Sequence, residues 1–341
     1  MTQRAIVSGS LGLVGFAVCE RLLADGWTVL GIDNDQRSRL FGKEASTASM
    51  ADVLRKSPKY EHYAIDIRSK AEMDQVFCKG ADLCVHTAAQ PSHDWSTTNI
   101  REDFHINAVG TLTALEAWHK HCRRAPFAHL STSKVYGDNP NRLPLDEMET
   151  RYDLYPEDKL YNGIPEEFST DLAIHSFFGV SKLSGDLLAQ EYGRNFGLPV
   201  TIFRPGCVVG KHQKGVELHG FLSYLAKCIK TGTKYKIYGH KAKMVRCNVH
   251  ADDLVEAILM AAERPKPGEV YCIGGRGLEC SMMEAISELE KRLDKKAVTE
   301  YVEQPRQGDH IWFVADSRKL KDNLHWRPKK WLPQILDELC E

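Results

Sequence analysis

Between residues 4 and 203, short apolar runs alternate with longer stretches whose apolar positions recur every three to four residues. The runs 4–7, 29–33, 63–66, 83–87, 127–130 and 200–203 read as strands, and the stretches 15–25, 107–121 and 177–196 read as amphipathic helices. Strands that alternate with helices predict a parallel sheet covered on both faces, an α/β fold of the doubly wound kind. Residues 140–171, rich in Pro, Asp, Glu and Tyr and weak in periodicity, read as a long ordered loop. Beyond residue 204 the pattern becomes mixed. The expected organisation is therefore a main domain over 1–203 and a smaller lobe over 204–341, with some segments of the lobe returning to the main domain.

The chain of 341 residues carries 45 Lys and Arg against 46 Asp and Glu, a formal charge of −1. No global field favours nucleic acid or an acidic membrane surface, so any bound anion must be met by local cations. No run approaches the ~18 apolar residues of a membrane helix, and the N-terminus passes directly into Ala5-Ile6-Val7 without a secretory stretch. The ten cysteines contain no C-x-x-C spacing, so neither a zinc site nor a redox pair is expected. A soluble protein with reduced thiols, in the cytoplasm, is the expectation.

Gly9-Ser10-Leu11-Gly12-Leu13-Val14-Gly15 follows the first strand and opens the first helix. Glycines at such a turn let the backbone approach a pyrophosphate, whose charge then rests on the helix N-terminus at Leu13 and Val14. Asp33, with Asn34 behind it, ends the second strand 18 residues after Gly15. A carboxylate there accepts both hydroxyls of an adenine ribose and repels a 2′-phosphate, which predicts NAD rather than NADP. The main domain is thus expected to be of Rossmann type.

His175-Ser176-Phe177-Phe178-Gly179-Val180-Ser181-Lys182 places Phe178 and Lys182 four apart, on one face of a helix and about 6 Å apart along its axis. A tyrosine at 178 would have its phenol pKa lowered by the ammonium and serve as a base. Phenylalanine keeps the ring and lacks the proton-carrying oxygen.

Further segments carry a family resemblance. His86-Thr87-Ala88-Ala89-Gln90, Asn107-Ala108-Val109-Gly110-Thr111, Ser131-Thr132-Ser133-Lys134-Val135-Tyr136-Gly137-Asp138 and Arg204-Pro205 together resemble an extended short-chain dehydrogenase/reductase over nearly the full length. Ser133 to Asp138 and Glu149-Thr150-Arg151-Tyr152 are most similar to the CDP-paratose (CDP-tyvelose) 2-epimerases. The resemblance implies that Asp66 and Ile67 flank the adenine and that Ala88 and Ala89 line the cofactor channel. It also implies that Asn107 supports that channel, Thr132 holds the reacting sugar hydroxyl and Lys182 binds the nicotinamide ribose. Arg204, Arg246 and Arg306 fall where the family places guanidinium groups around a nucleotide diphosphate, a geometry suited to planar forks. One departure is Arg246-Cys247, where the family usually has Arg-Asp, which makes the nearby pocket less negative. Dehydratases of the family carry Asp-Glu after the active-site threonine, whereas here Ser133-Lys134 follows Thr132, which argues against loss of water.

The expectation is an NAD-dependent epimerase of a nucleotide-diphosphate sugar, with a CDP-hexose favoured, working as a homodimer paired through helices 107–121 and 177–196. The proton acceptor is left open among Lys182, Ser133, Tyr136 and His93; a lone His175 reads as a capped or surface residue. The competing expectation is a non-catalytic NAD-binding sensor or scaffold that lost turnover with the tyrosine.

Overall fold

The computed structural model describes every residue except Met1, Leu218 and Gln307. Of Glu217-Leu218-His219-Gly220-Phe221, which also resembles sequences near the 2-epimerases, Leu218 therefore lies outside the described residues, as does Gln307, next to Arg306. By compactness the chain divides into two units that do not follow a cut at residue 203. One comprises residues 1–132, Phe177–Arg204 and Leu254–Tyr271; the other comprises Ser133–Ser176, Pro205–Asp253 and Cys272–Glu341.

The first unit is built on a seven-stranded parallel sheet. Its strands are β1 (Arg4–Ser8), β2 (Thr28–Ile32), β3 (Tyr60–Tyr63), β4 (Leu83–His86), β5 (Phe127–Leu130), Val200–Pro205 and Glu269–Ile273. Across the sheet the order is Glu269–Ile273, Val200–Pro205, β5, β4, β1, β2, β3. Strand order reverses between β1 and β4, which opens the crevice where doubly wound sheets bind ligands. The inner strands are buried on both faces, which is why they read as continuous apolar runs: Ala5, Ile6 and Val7 are almost wholly inaccessible. One core cluster gathers Ile6, Leu30, Ile32, Met73, Phe77, Leu115, Trp118 and Phe127, with the Trp118 indole donating to the Ala125 carbonyl at 3.0 Å.

Five strand readings are met within two residues. The 63–66 reading instead lies at Tyr60–Tyr63, because only Tyr60 of that edge strand is buried and the apolar signal falls after it. The long helix Phe177–Phe196 begins and ends where its periodicity predicts. Before helix Gly110–His121 the chain widens into a π-turn at His105–Val109, a local irregularity often found at functional sites. Among the described residues no helix is long and apolar enough to cross a membrane.

In the second unit, strand Val245–His250 is the hub: it pairs antiparallel with Glu279–Ser281 and parallel with both Trp312–Phe313 and Cys207–Val209. Residues 140–171 contain a short ribbon, Asp146–Glu147 against Tyr152–Asp153. The Glu149-to-Tyr152 motif is stapled here, since Thr150 donates to Glu284 at 2.7 Å and the Arg151 Nε does so at 2.8 Å.

Candidate functional site

The glycine turn is shaped by three different demands. Gly9 has φ +76°, and a Cβ there would lie 2.6 Å from the Ala88 nitrogen. A Cβ on Gly15 would lie 2.0 Å from the Gly9 carbonyl oxygen, so helix Leu13–Ala24 can approach the turn only if residue 15 has no side chain. Gly12 is different. Its backbone is ordinary, at φ −71° and ψ 164°, and a Cβ would meet nothing closer than 3.4 Å. The space beside Gly12 is left open by the protein, as a cradle for a diphosphate requires. The helix has neither a side-chain cap nor an acidic residue in its first turn, so its N–H groups at Leu13, Val14 and Gly15 remain available to an anion.

Asp33 braces this cradle. Its carboxylate accepts from Leu11 N at 3.0 Å and from Asp35 N at 2.8 Å, while burial pushes its pKa up against the pull of those two bonds. Asn34 follows half-buried. Asp66 forms a fork with Arg68, at 2.9 and 2.7 Å, which holds its carboxyl below the usual range. Ile67 is buried beneath Gly110, where a Cβ would come within 2.6 Å of it, and Ala88 and Ala89 are half-buried after β4. The residues present fit a dinucleotide with a free adenine ribose.

Deeper in the same unit is a buried polar network. Asn107 accepts from Gln90 N at 2.8 Å and donates to Asp103 at 3.1 Å and to Ser181 at 3.0 Å. Asn107 thus ties three segments together rather than presenting a free amide. The Lys182 ammonium donates to the Leu130 carbonyl at 2.7 Å. Burial lowers its pKa to about 8, opposed by the carboxylates of Asp186 and Asp103. Below lie His86 and His129, stacked 5.5 Å apart. The Thr111 hydroxyl donates its one hydrogen to Asn107 O at 2.6 Å, so His86 Nε2–H donates to Thr111 at 3.1 Å and Nδ1 accepts from Ser8 at 2.6 Å. His86 is a neutral imidazole, its pKa lowered to about 3 by burial and then by the Lys182 charge.

Phe178 is buried on the inward face of the long helix beside Lys182, as the spacing predicts, while Phe177 is exposed. The Phe178 N–H donates to Ser96 Oγ at 3.2 Å. Thr132, half-buried, follows Ser131 at the carboxyl edge of β5. His93 opens the short helix His93–Thr98 after β4.

Three readings are corrected. Arg204 is not available to a ligand diphosphate: it is buried in a fork with Asp186, at 2.9 and 2.8 Å. Tyr136 is fully buried in the second unit, its hydroxyl donating to the Pro165 carbonyl at 3.1 Å and lying 3.1 Å from Cys272 Sγ. A base so enclosed meets no sugar. Cys247 does not alter the charge beside Arg246, because adjacent strand residues point to opposite faces; its thiol is buried and accepts from Gly275 N at 3.1 Å.

In the second unit, described by itself, Lys134 and Arg246 both meet the Asp309 carboxylate, at 2.9 and 3.2 Å. Arg306 lies over the Tyr238 ring at 4.2 Å. Ser133 is buried. His175 Nε2 pairs with the Thr170 carbonyl at 2.8 Å, the capped role expected of it. Sequence reasoning quoted His86, Gln90 and Ser181 within its motifs without giving them a role, and missed Asp103 and Asp186. The four-residue spacing of Asp103 and Asn107 was a signal for the former.

The family model described as NAD dependent epimerase/dehydratase matches residues 5–274. A CDP-paratose 2-epimerase from Salmonella typhi is 29% identical over 96% of this chain and 95% of its own length. A putative UDP-glucose 4-epimerase from Methanocaldococcus jannaschii is 26% identical over 95% and 93%. Among solved structures, a tyrosine-to-phenylalanine variant of UDP-glucuronic acid 4-epimerase from Bacillus cereus, bound to NAD and a fluorinated UDP-sugar, superposes with a TM-score of 0.78. It is 25% identical and covers 98% of this chain and 97% of that one.

Proposed function

The chain belongs to the NAD dependent epimerase/dehydratase family, and from that premise we propose that it interconverts epimers of a nucleotide-diphosphate sugar, with a CDP-hexose the favoured substrate. NAD supplies, when bound, a hydride acceptor that returns what it takes. Gly9, Gly12 and Gly15 with the N–H groups of Leu13 and Val14 would hold its diphosphate, Asp33 and Asn34 the adenine ribose, and Asp66 and Ile67 the adenine. Ala88 and Ala89 would line its path and Lys182 would hold the nicotinamide ribose, with Asn107 positioning the helix behind. Thr132 would orient the sugar hydroxyl, while Arg246 and Arg306 would meet the substrate's diphosphate.

The observation that carries this reading is Lys182. A buried ammonium, anchored on the Leu130 carbonyl two residues before Thr132, is costly for a fold to keep and has no ion-pair partner among the described residues. Purified protein incubated separately with CDP-, UDP- and dTDP-hexoses should convert one of them to a stereoisomer resolved by NMR, with no net change in absorbance at the NADH wavelength. A second reading rests on Phe178: a protein that binds NAD and sugar nucleotide without turnover. Thermal stabilisation by both ligands with no product in any panel member would favour it.

A further inference from the structure

We propose that the imidazole of His93 is the proton acceptor that stands in for the missing phenol at position 178. The inference rests on the epimerase reading above and assigns the group which that reading leaves open.

His93 is held in place by its surroundings. The amide of buried Gln90 grips the backbone of Ser92 from both sides, accepting from its N–H and donating to its carbonyl at 2.8 Å. Ser92 caps the following helix by accepting from Trp95 N at 3.2 Å. The Ser96 hydroxyl donates to the His93 carbonyl at 2.6 Å and accepts from the Phe178 N–H at 3.2 Å. One hydroxyl therefore ties the backbone of residue 93 to that of residue 178. Behind both stands the Asp103 carboxylate, bonded to Gln90 at 2.6 Å and close enough to His93 to feel its charge.

One nitrogen of the ring is left unsatisfied. Nε2 of His93 is buried and has no hydrogen-bond partner among the described residues, while Nδ1 lies 3.8 Å from the Asp94 carboxylate, beyond hydrogen-bond reach. A fold satisfies its buried polar atoms unless something else does so. A substrate hydroxyl is such a group. With the proton on Nδ1, toward Asp94, the Nε2 lone pair would take the hydroxyl proton as the O–H bond breaks and its electrons form the carbonyl, while bound NAD⁺ would supply the acceptor for the hydride leaving the same carbon. When hydride returns to the other face of the keto carbon, the proton goes back to oxygen. No net electron or proton accrues. Asp103 would stabilise the imidazolium formed in between.

His93→Gln keeps the bulk and removes the base. Its turnover should fall by about 10²- to 10⁴-fold with NAD affinity unchanged. His93→Gln/Phe178→Tyr should recover at least tenfold of that loss, a rescue that a merely structural role for His93 would not give. Turnover within a few-fold of wild type in His93→Gln overturns the proposal. So does a large gain in Phe178→Tyr alone, because the wild-type site would then lack an effective base. A readout independent of turnover is the His93 ring C–H resonance, assigned by its loss in His93→Gln. It should shift on adding NAD to the unmodified protein, and an unmoved signal at saturating NAD overturns the proposal even where no sugar is converted. Absence of epimerisation with the NMR shift present instead sinks the epimerase reading and leaves His93 in the site without a proton to accept, which overturns its catalytic role too.

Discussion

At the scale of single residues, burial decides what the charged groups can do. Lys182 has its pKa lowered from 10.5 to about 8, so the unfolded chain binds more protons than the folded one between those values. Stability should therefore rise with pH across that window. Lys182→Met, which has no such proton, should be the more stable protein at pH 7, and the gap should shrink by about 3 kcal/mol as pH passes from 8 to 10.5. Urea unfolding of both proteins at several pH values checks this; a parallel pH dependence would refute it. Asp33 braces Leu11 N and Asp35 N, and in the proposed function its remaining lone pairs would accept from a ribose. Asp33→Asn should bind NAD more weakly and lose its preference over NADP, read by fluorescence titration with each. An unmodified protein that prefers NADP would refute the role. Asp33 was marked in the sequence by its place at the end of β2, after the glycine turn. The engagement of Arg204 by Asp186 was not, since which of two neighbouring structures owns a guanidinium is settled only by packing.

At the scale of elements, the turn joining β1 to the first helix separates fold from binding within seven residues. At Gly15 an added methyl meets backbone at 2.0 Å, and at Gly12 it meets nothing nearer than 3.4 Å. Gly15→Ala should therefore cost roughly 2 kcal/mol or more, an overpacking that backbone cannot relieve. Gly12→Ala should melt close to the unmodified protein yet lose NAD affinity by tenfold or more, because its methyl enters the space kept for the diphosphate. Equal loss of stability in both variants would count against that division. Differences of the same kind governed what the pattern revealed. Helix Phe177–Phe196 was read to the residue because one face is buried along its whole length. Strand Tyr60–Tyr63 was read three residues late because its face is largely open. The return of Leu254–Tyr271 to the first unit had only a general expectation behind it, since nothing local marks which sheet a strand joins. The unpartnered nitrogen of His93 has no sequence signature at all.

At the scale of the molecule, the first unit leaves an apolar surface uncovered. Phe177, Val180 and Leu187 of the long helix are 42–49% exposed, and Ile100, Phe104 and Val109 on the segments before Gly110 are 38–44% exposed. The two sets belong to elements that pack against each other in this unit. Of the leucines on the two helices expected to pair, Leu115 is buried in the core cluster and Leu188 packs against it, Leu112 and Leu183 are half-buried, and Leu187 is exposed. Exposed apolar side chains gathered on neighbouring elements mark a contact. A net charge of −1 offers no long-range repulsion between copies. Self-association across a two-fold axis would place each long helix beside its symmetry mate and cover the same patch twice. The unmodified protein should sediment as a dimer at micromolar concentration. Val180→Lys/Leu187→Lys should sediment as a monomer while binding NAD as before, because neither residue belongs to the glycine turn or the buried network behind it. An unmodified protein that is monomeric under these conditions would leave the patch to some other partner and refute the dimer.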